Sequence, residues 1–366
     1  MAQQSELEKW NLYKKQELAL LKPLIRNLGF ELENKQPHIS GERYLMQAVT
    51  TTSGKKLILL GHRKHDGKCV VIKATRDGNG MRELEHEHVC RSTLETIDFA
   101  YDTFFFPQEF LFLKKSGFLI AVYEYIEQET PFIERPLQEQ ALFSLQAFKA
   151  QESARATVHN HIKRIKKTFE IRSSADYLET FSKFKKDIVI YAPAKKEVFE
   201  KAQRYLQENQ ENIEQYCHFL THVDFVPHNF RIKDGVIYLL DYSSLRFGNK
   251  HEGWARFLNF MVLYNQELEQ GLAHYIKINR APEESVSLKA LRLVRLAELI
   301  WYYWNTLEKT RGDLQKLNKI RIEFWISVFE RLVEDEIIDP KTIQNYKKER
   351  DRLRSEEEKE RQKKLH

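Results

Sequence analysis

The chain has 366 residues, 42% hydrophobic and 12% aromatic, enough for the cores of two lobes and too apolar for a disordered chain outside its charged ends. Its 59 basic and 53 acidic residues leave a net charge of +6 with the signs interspersed, and no basic stripe with interleaved aromatics points to nucleic acid. Cys69, Cys90 and Cys217 form no C-x-x-C pair, the charged amino terminus has no apolar signal core, and no run reaches a membrane-spanning length of about 20 residues; the expectation is a cytoplasmic protein with no disulfide framework, zinc site or membrane contact.

Residues 5–29 read as a helical lead-in, interrupted by Pro23, that packs rather than reacts. Tyr44–Thr51 and Lys56–His62 are apolar or β-branched runs joined by Thr52-Ser53-Gly54, and His65-Asp66-Gly67-Lys68 turns the chain into Cys69–Thr75. Together they predict a three-stranded antiparallel meander. The third strand carries Lys73, and a lysine on an apolar strand is costly unless an acid pairs with it. After the Gly78-Asn79-Gly80 break, Met81–Thr96 reads as a helix offering Glu83, Glu85 and Glu87. Phe104–Phe112 and Gly117–Tyr125 read as two further strands.

Leu137–Phe169, Ser173–Phe184 and Lys195–Phe219 read as helices, and the basic stretch around His159 and His161 as a solvated face. Then comes the segment 221–244, THVDFVPHNFRIKDGVIYLLDYSS. Two short strands flank Asp234-Gly235, a strong hairpin signal, so Asn229 at the start returns close to Asp241 at the end. Asp224 lies five residues before Asn229, in a loop that contains Pro227. Phosphoryl transfer needs a carboxylate to orient a hydroxyl and oxygen ligands to hold a metal against phosphates. Asp224, Asn229 and Asp241 are those residue types in that order. Downstream, Gly253–Gln270, Ser287–Thr310 and Leu314–Glu334 have helical spacing, and Trp301-Tyr302-Tyr303-Trp304 reads as core of the large part. Tyr346–His366 alternates charge, with Glu357/Arg361 and Glu360/Lys364 pairs, and reads as an exposed terminal helix.

His222, Val223, Asp224, Pro227 and Asn229, the hairpin and Leu240-Asp241-Tyr242 resemble a known pattern. It is H-G-D-x-x-P-x-N followed by I-D-W or I-D-F, from the aminoglycoside phosphotransferase and choline kinase families, which share the protein-kinase fold. The resemblance implies an α+β, two-lobed protein-kinase-like fold, with a small antiparallel-sheet N-lobe and a mainly helical C-lobe. The segments would be a lead-in over 1–34, an N-lobe over 35–128, a C-lobe over 129–340 and a charged tail over 341–366. It also implies ATP and Mg2+, with the γ-phosphate moving to a hydroxyl of a small molecule. Lys73 would hold the α- and β-phosphates. Glu87 would position it, because its spacing to Leu94 is similar to the family's E-x₆-L. Asp224 would orient the acceptor and take its proton, His222 would brace the loop, and Asn229 and Asp241 would bind the metal. Ser53 and Gly54 would cover phosphates. The backbone of Glu124, Tyr125 and Ile126 would pair with the adenine edge, with Ile72 and Tyr123 flanking the ring.

Several residues depart from that pattern. There is no G-x-G-x-x-G. Val223 and Tyr242 replace the usual glycine and tryptophan or phenylalanine. Gly253 stands where G-D-P-x-x-D-L-A has the aspartate that supports the catalytic loop, and Glu252 is the candidate substitute. The missing A-P-E end and the missing arginine before Asp224 favour a small acceptor. A protein or lipid-linked sugar acceptor, and a non-catalytic scaffold, are the alternatives.

Overall fold

The structure is a computed structural model that describes residues 2–34, 36, 55–96, 104–153, 162–354 and 359. The Tyr44–Thr51 strand, the Ser53-Gly54 loop, His159, His161 and the two charge pairs expected in the tail lie outside those residues.

The chain begins with α1 (Ala2–Asn27), β1 (Phe30–Leu32), β2 (Leu57–Arg63), β3 (Cys69–Thr75) and α2 (Gly78–Leu94). There follow β4 (Phe104–Phe105), β5 (Glu109–Lys115) and β6 (Phe118–Glu124). The helical part starts with α3 (Leu137–Ser153), α4 (Ile162–Thr168), α5 (Ser174–Tyr191), α6 (Lys196–Glu208) and α7 (Gln210–Gln215). Strands β7 (Phe219–His222), β8 (Phe230–Lys233), β9 (Val236–Leu239) and β10 (Leu245–Gly248) interrupt it. It closes with α8 (His251–Tyr264), α9 (Gln266–Asn279), α10 (Pro282–Leu307), α11 (Gly312–Val333) and α12 (Pro340–Leu353). This is the expected fold class.

The small lobe is a five-stranded antiparallel sheet in the order β1-β2-β3-β6-β5. Side chains alternate across a strand, so β3 offers its two faces to different neighbours. Val70, Ile72 and Ala74 point into one core together with Leu21, Leu24 and Ile25 of α1. Glu17 on α1 also pairs with Arg76 at 2.5 Å. Lys73 is on the other face, opposite Ile58 and Ala121. The lead-in thus packs as expected, but Pro23 lies inside a continuous helix. It removes one hydrogen bond late in a helix already anchored by buried leucines. Residues Phe30–Leu32, read as part of the lead-in segment, form the edge strand beside β2.

The expected strand over Phe104–Phe112 is divided, because Pro107 cannot donate within a ladder. Phe104-Phe105 instead pairs in parallel with β9, giving a sheet in the order β4-β9-β8. Among the helices, Asn209 separates α6 from α7. Asn265 separates α8 from α9, its side chain accepting from Leu268 N at 3.1 Å as an N-cap. The long helix α10 runs through the core of the large lobe and packs against α5, α8 and α11. The tail does not start exposed: Tyr346 stacks on Phe324 with centroids 4.0 Å apart, and Leu353 is buried. The Trp301–Trp304 rings pack between helices as expected, with Trp301 Nε1 donating to Asp187 at 2.8 Å. Among the described residues, no helix is long and apolar enough to cross a membrane.

Candidate active site

Lys73 reaches across the sheet to Glu87 of α2, with which it forms an ion pair. Glu87 is buried, which explains the choice among three acids on one helix: Glu83 pairs with Lys56 at 2.5 Å and Glu85 is exposed. Tyr123 lies beneath the Lys73 ammonium, 5.4 Å from ring centroid to Nζ. Burial pushes the Tyr123 hydroxyl far above its ordinary value, with Glu87 adding to the rise. Ile72 does not border the cleft, since it is fully buried on the α1 side. The pairing register puts Ile58, Leu60 and Val71 on the Lys73 face instead.

The strand β6 ends at the crossover to the large lobe. Glu124 N–H is taken by Gln108 O at 2.8 Å and Tyr125 N–H by Cys69 O at 3.2 Å. Of the three expected base-pairing residues, Ile126 keeps a backbone N–H with no bond among the described residues. Just past it, Gln128 Oε1 accepts from Ile232 N at 3.0 Å, stitching the crossover to β8. Arg231, which the sequence reading missed, is beside that stitch. It donates to the carbonyls of Phe230 at 2.8 Å and His228 at 3.4 Å. Burial lowers its pKa, with Tyr125 opposing.

Asp224, Asn229 and Asp241 converge because two ladders zip their loops together. His222 pairs with Leu245 across β7 and β10, and Val223 N donates to Ser244 O at 2.8 Å. Leu240 N donates to Asn229 O at 2.8 Å, at the open end of the β8–β9 hairpin. Asn229 Nδ2 donates to Asp224 Oδ2 at 2.9 Å and to its carbonyl at 2.8 Å, leaving Asn229 Oδ1 available. Asp224 Oδ1 accepts from Arg256 Nε at 2.7 Å. Burial raises the Asp224 pKa, but the Arg256 guanidinium, His228 and His222 outweigh it and hold the carboxyl far below its ordinary value.

Asp241 sits in the left-handed region at φ 57°, which aspartate tolerates better than most residues. Its oxygens accept from Ser243 and Ser244 hydroxyls, each at 2.7 Å. Burial raises its pKa as well; His222, the two serines and the Lys73 ammonium together bring it below the usual carboxylate range. The helix α2, which carries Lys73's partner Glu87, packs against the turn that follows Asp241. His222 is fully buried and bonded through Nε2 to Leu240 O at 3.0 Å, one residue before Asp241.

Gly253 has a specific neighbour. A Cβ there would come within 2.8 Å of Gln151 Oε1 and 3.2 Å of His222 O and Thr221 Oγ1. Gln151, from α3, accepts from His222 N at 3.3 Å and Thr221 Oγ1 at 3.4 Å, and Gly253 N donates to Thr221 Oγ1 at 3.0 Å. The loop is braced from behind by an amide across a glycine. Glu252, the expected substitute, faces Arg246 and Tyr177 instead. Arg295 adds a second brace, donating to Val223 O at 3.0 Å. Introducing the missing acid should therefore harm the protein: Gly253→Asp is expected to cost about 1–3 kcal/mol through overpacking. Chemical denaturation checks this, and Gln151→Ala in the same chain should recover part of the loss.

No family model and no curated protein matches the chain by sequence. Solved structures do match. A macrolide 2′-phosphotransferase type I is 14% identical with a TM-score of 0.55, over 84% of this chain and 97% of that one. A streptomycin–ATP ternary complex of the aminoglycoside phosphotransferase APH(2″)-IIa is 11% identical with a TM-score of 0.53, over 86% and 97%. The macrolide 2′-phosphotransferase apoenzyme from Brachybacterium faecium is 12% identical with a TM-score of 0.51, over 84% and 98%. At these identities the likeness is one of architecture: the chain has the two-lobed, protein-kinase-like fold of the aminoglycoside and macrolide phosphotransferases.

Proposed function

We propose that this protein is an ATP- and magnesium-dependent phosphotransferase acting on the hydroxyl of a small molecule. The observation that carries the reading is the convergence of Asp224, Asn229 and Asp241 at one hairpin, facing a Lys73–Glu87 pair from the other lobe.

The donor set fits magnesium. Asn229 keeps its Oδ1 free, and each Asp241 oxygen accepts only one hydroxyl. Among the described residues, no cluster of three or more His, Cys, Asp or Glu side chains forms a closed metal cage. Magnesium at nucleotide sites takes one or two protein oxygens and completes its shell with phosphates and water. Bound there, it would neutralise charge on the β- and γ-phosphates.

The chain's own groups then divide the work. Lys73, held by Glu87, binds the α- and β-phosphates. The Ile126 N–H meets the base edge, and Ile58, Leu60 and Val71 form the apolar roof. Asp224 orients the acceptor hydroxyl, whose oxygen forms the new bond to the γ-phosphorus as the bond to the bridging oxygen of ADP breaks. The hydroxyl proton passes to Asp224. A carboxylate with so low a pKa is a weak base, which suits a loose transition state where the proton leaves late. His222 fixes the segment before Asp241. Gln151 fills the space beside Gly253 and accepts from the loop that the absent aspartate would brace, which supports a catalytic reading over a scaffold.

Thermal melting with ATP tests the reading. The midpoint should rise with ATP and rise further with magnesium, and a metabolite extract with labelled ATP should yield a phosphorylated product. Asp224→Asn is expected to keep the shift while lowering transfer about 10²- to 10⁴-fold. No ATP-dependent shift under either condition would end the proposal. Because the active form of Asp224 is ionised and its pKa is depressed, transfer should persist as pH falls to the ordinary aspartate value near 3.9, for as long as the fold survives.

A further inference from the structure

The two carboxylate oxygens of Asp224 face different parts of the protein. Oδ2 meets Asn229, on the side that carries Asp241 and the proposed metal. Oδ1 meets Arg256 of α8 instead, at 2.7 Å. Both side chains are partly exposed, Arg256 by 22% and Asp224 by 36%. With Nε committed to Asp224, the two Nη groups of Arg256 make no bond among the described residues. Arg295 reaches the same loop from α10, where it pairs with Glu298 of its own helix and lies 3.9 Å from Glu252.

Beside Asp224 these surroundings present guanidinium N–H donors, which offer a protonated amine no acceptor. They suit a hydroxyl standing near an oxyanion, which a guanidinium fork grips through two parallel N–H bonds. Resting on the phosphotransferase reading above, we infer that Arg256 is a specificity residue that holds the phosphate or carboxylate group of a small hydroxylated acid while its hydroxyl lies at Asp224. The acceptor oxygen takes the γ-phosphoryl group from ATP, ADP leaves, and the proton goes to Asp224. The acceptor's own oxyanion is unchanged.

The test uses the full chain with Mg·AMP-PNP bound, so that added anions report on the acceptor side. Inorganic phosphate and acetate are titrated separately against the melting midpoint. At least one should raise it in the wild type and neither in Arg256→Gln; Arg256→Lys, which keeps the charge without the fork, should recover part of the shift. ATP labelled in its γ-phosphate is then offered with glycerol, glycerol phosphate, glycerate, glucose, glucose phosphate, gluconate and glucosamine. Label should pass to the phosphorylated or the carboxylated members, and which of these it is names the source of the oxyanion. For such an acceptor Arg256→Gln should raise KM on the order of 10- to 100-fold, with KM for Mg·ATP unchanged.

Three results would overturn the inference: a midpoint unmoved by both anions, preferred transfer to glucosamine or the neutral polyols, or a fall in kcat for every acceptor at constant KM. If none of the acceptors is labelled, the anion titration decides. Failure of AMP-PNP itself to shift the midpoint counts instead against the phosphotransferase reading.

Discussion

Asp241→Asn should abolish phosphoryl transfer, by about 10³-fold or more, while leaving the fold intact. The substitution keeps the size of the side chain and suits the left-handed backbone at φ 57°, where asparagine is also at ease. Ser243 and Ser244 each retain a carbonyl or amide partner, so little packing changes. What disappears is a formal negative charge opposite Lys73, in the place where the proposed cation must balance phosphate charge. Magnesium-dependent enhancement of nucleotide binding should vanish together with turnover. The unfolding midpoint without nucleotide should stay within about 1 kcal/mol of the parent. Turnover at the parent's rate would remove Asp241 from the mechanism. A collapsed midpoint would mark it as structural.

Glu252→Ala is expected to have the largest effect on stability, about 3–5 kcal/mol. Glu252 is 1% exposed and accepts from Arg246 through two nitrogens and from Tyr177 Oη at 2.8 Å. Without it, the buried Arg246 keeps only Glu170, which is half-exposed, at 2.9 Å. Tyr177 would be left donating to nothing, although its oxygen still accepts from Asn249 N at 2.9 Å. The loss falls on β10, the strand paired with β7, so the loop bearing Asp224 should loosen as well.

Burial raises the Glu252 pKa, but Arg246, Arg295 and Tyr177 more than reverse this and bring it below the ordinary value. Its contribution is therefore complete above the unfolded glutamate pKa near 4.3 and is lost as pH falls through the depressed folded value. Urea unfolding at neutral and acid pH would show both effects: a lower midpoint in the variant at neutral pH, and a smaller acid-induced decline than in the parent. A neutral-pH loss under about 1 kcal/mol would mean that Arg246 has found another counterion.

The grouping at the hairpin was legible because it is local. Asp224 to Asp241 spans less than one supersecondary unit, and Asp234-Gly235 fixes how that unit folds. The Lys73–Glu87 pair was legible because burial cost demands a partner and one helix supplies the acids. What joins distant parts of the chain was not. Gln151 precedes Gly253 by 102 residues, and nothing in either neighbourhood announces that the amide fills the glycine's space. Arg256 carries no signal of its own in the sequence, and it is α8 that places it against Asp224. Ile72 was placed at the cleft through the resemblance, but alternation gives a strand two faces without saying which one α1 covers. Parallel pairing of Phe104-Phe105 with β9 likewise depends on the lobes meeting, which no local pattern encodes.

The bond from Ile232 to Gln128 has a mechanical corollary. It ties the chain just past Ile126 to the lower half of the molecule, which leaves the crossover out of β6 only a few peptide units long. Asn229 and Asp241 are joined inside that half by the Leu240–Asn229 bond, while Lys73 belongs to the sheet.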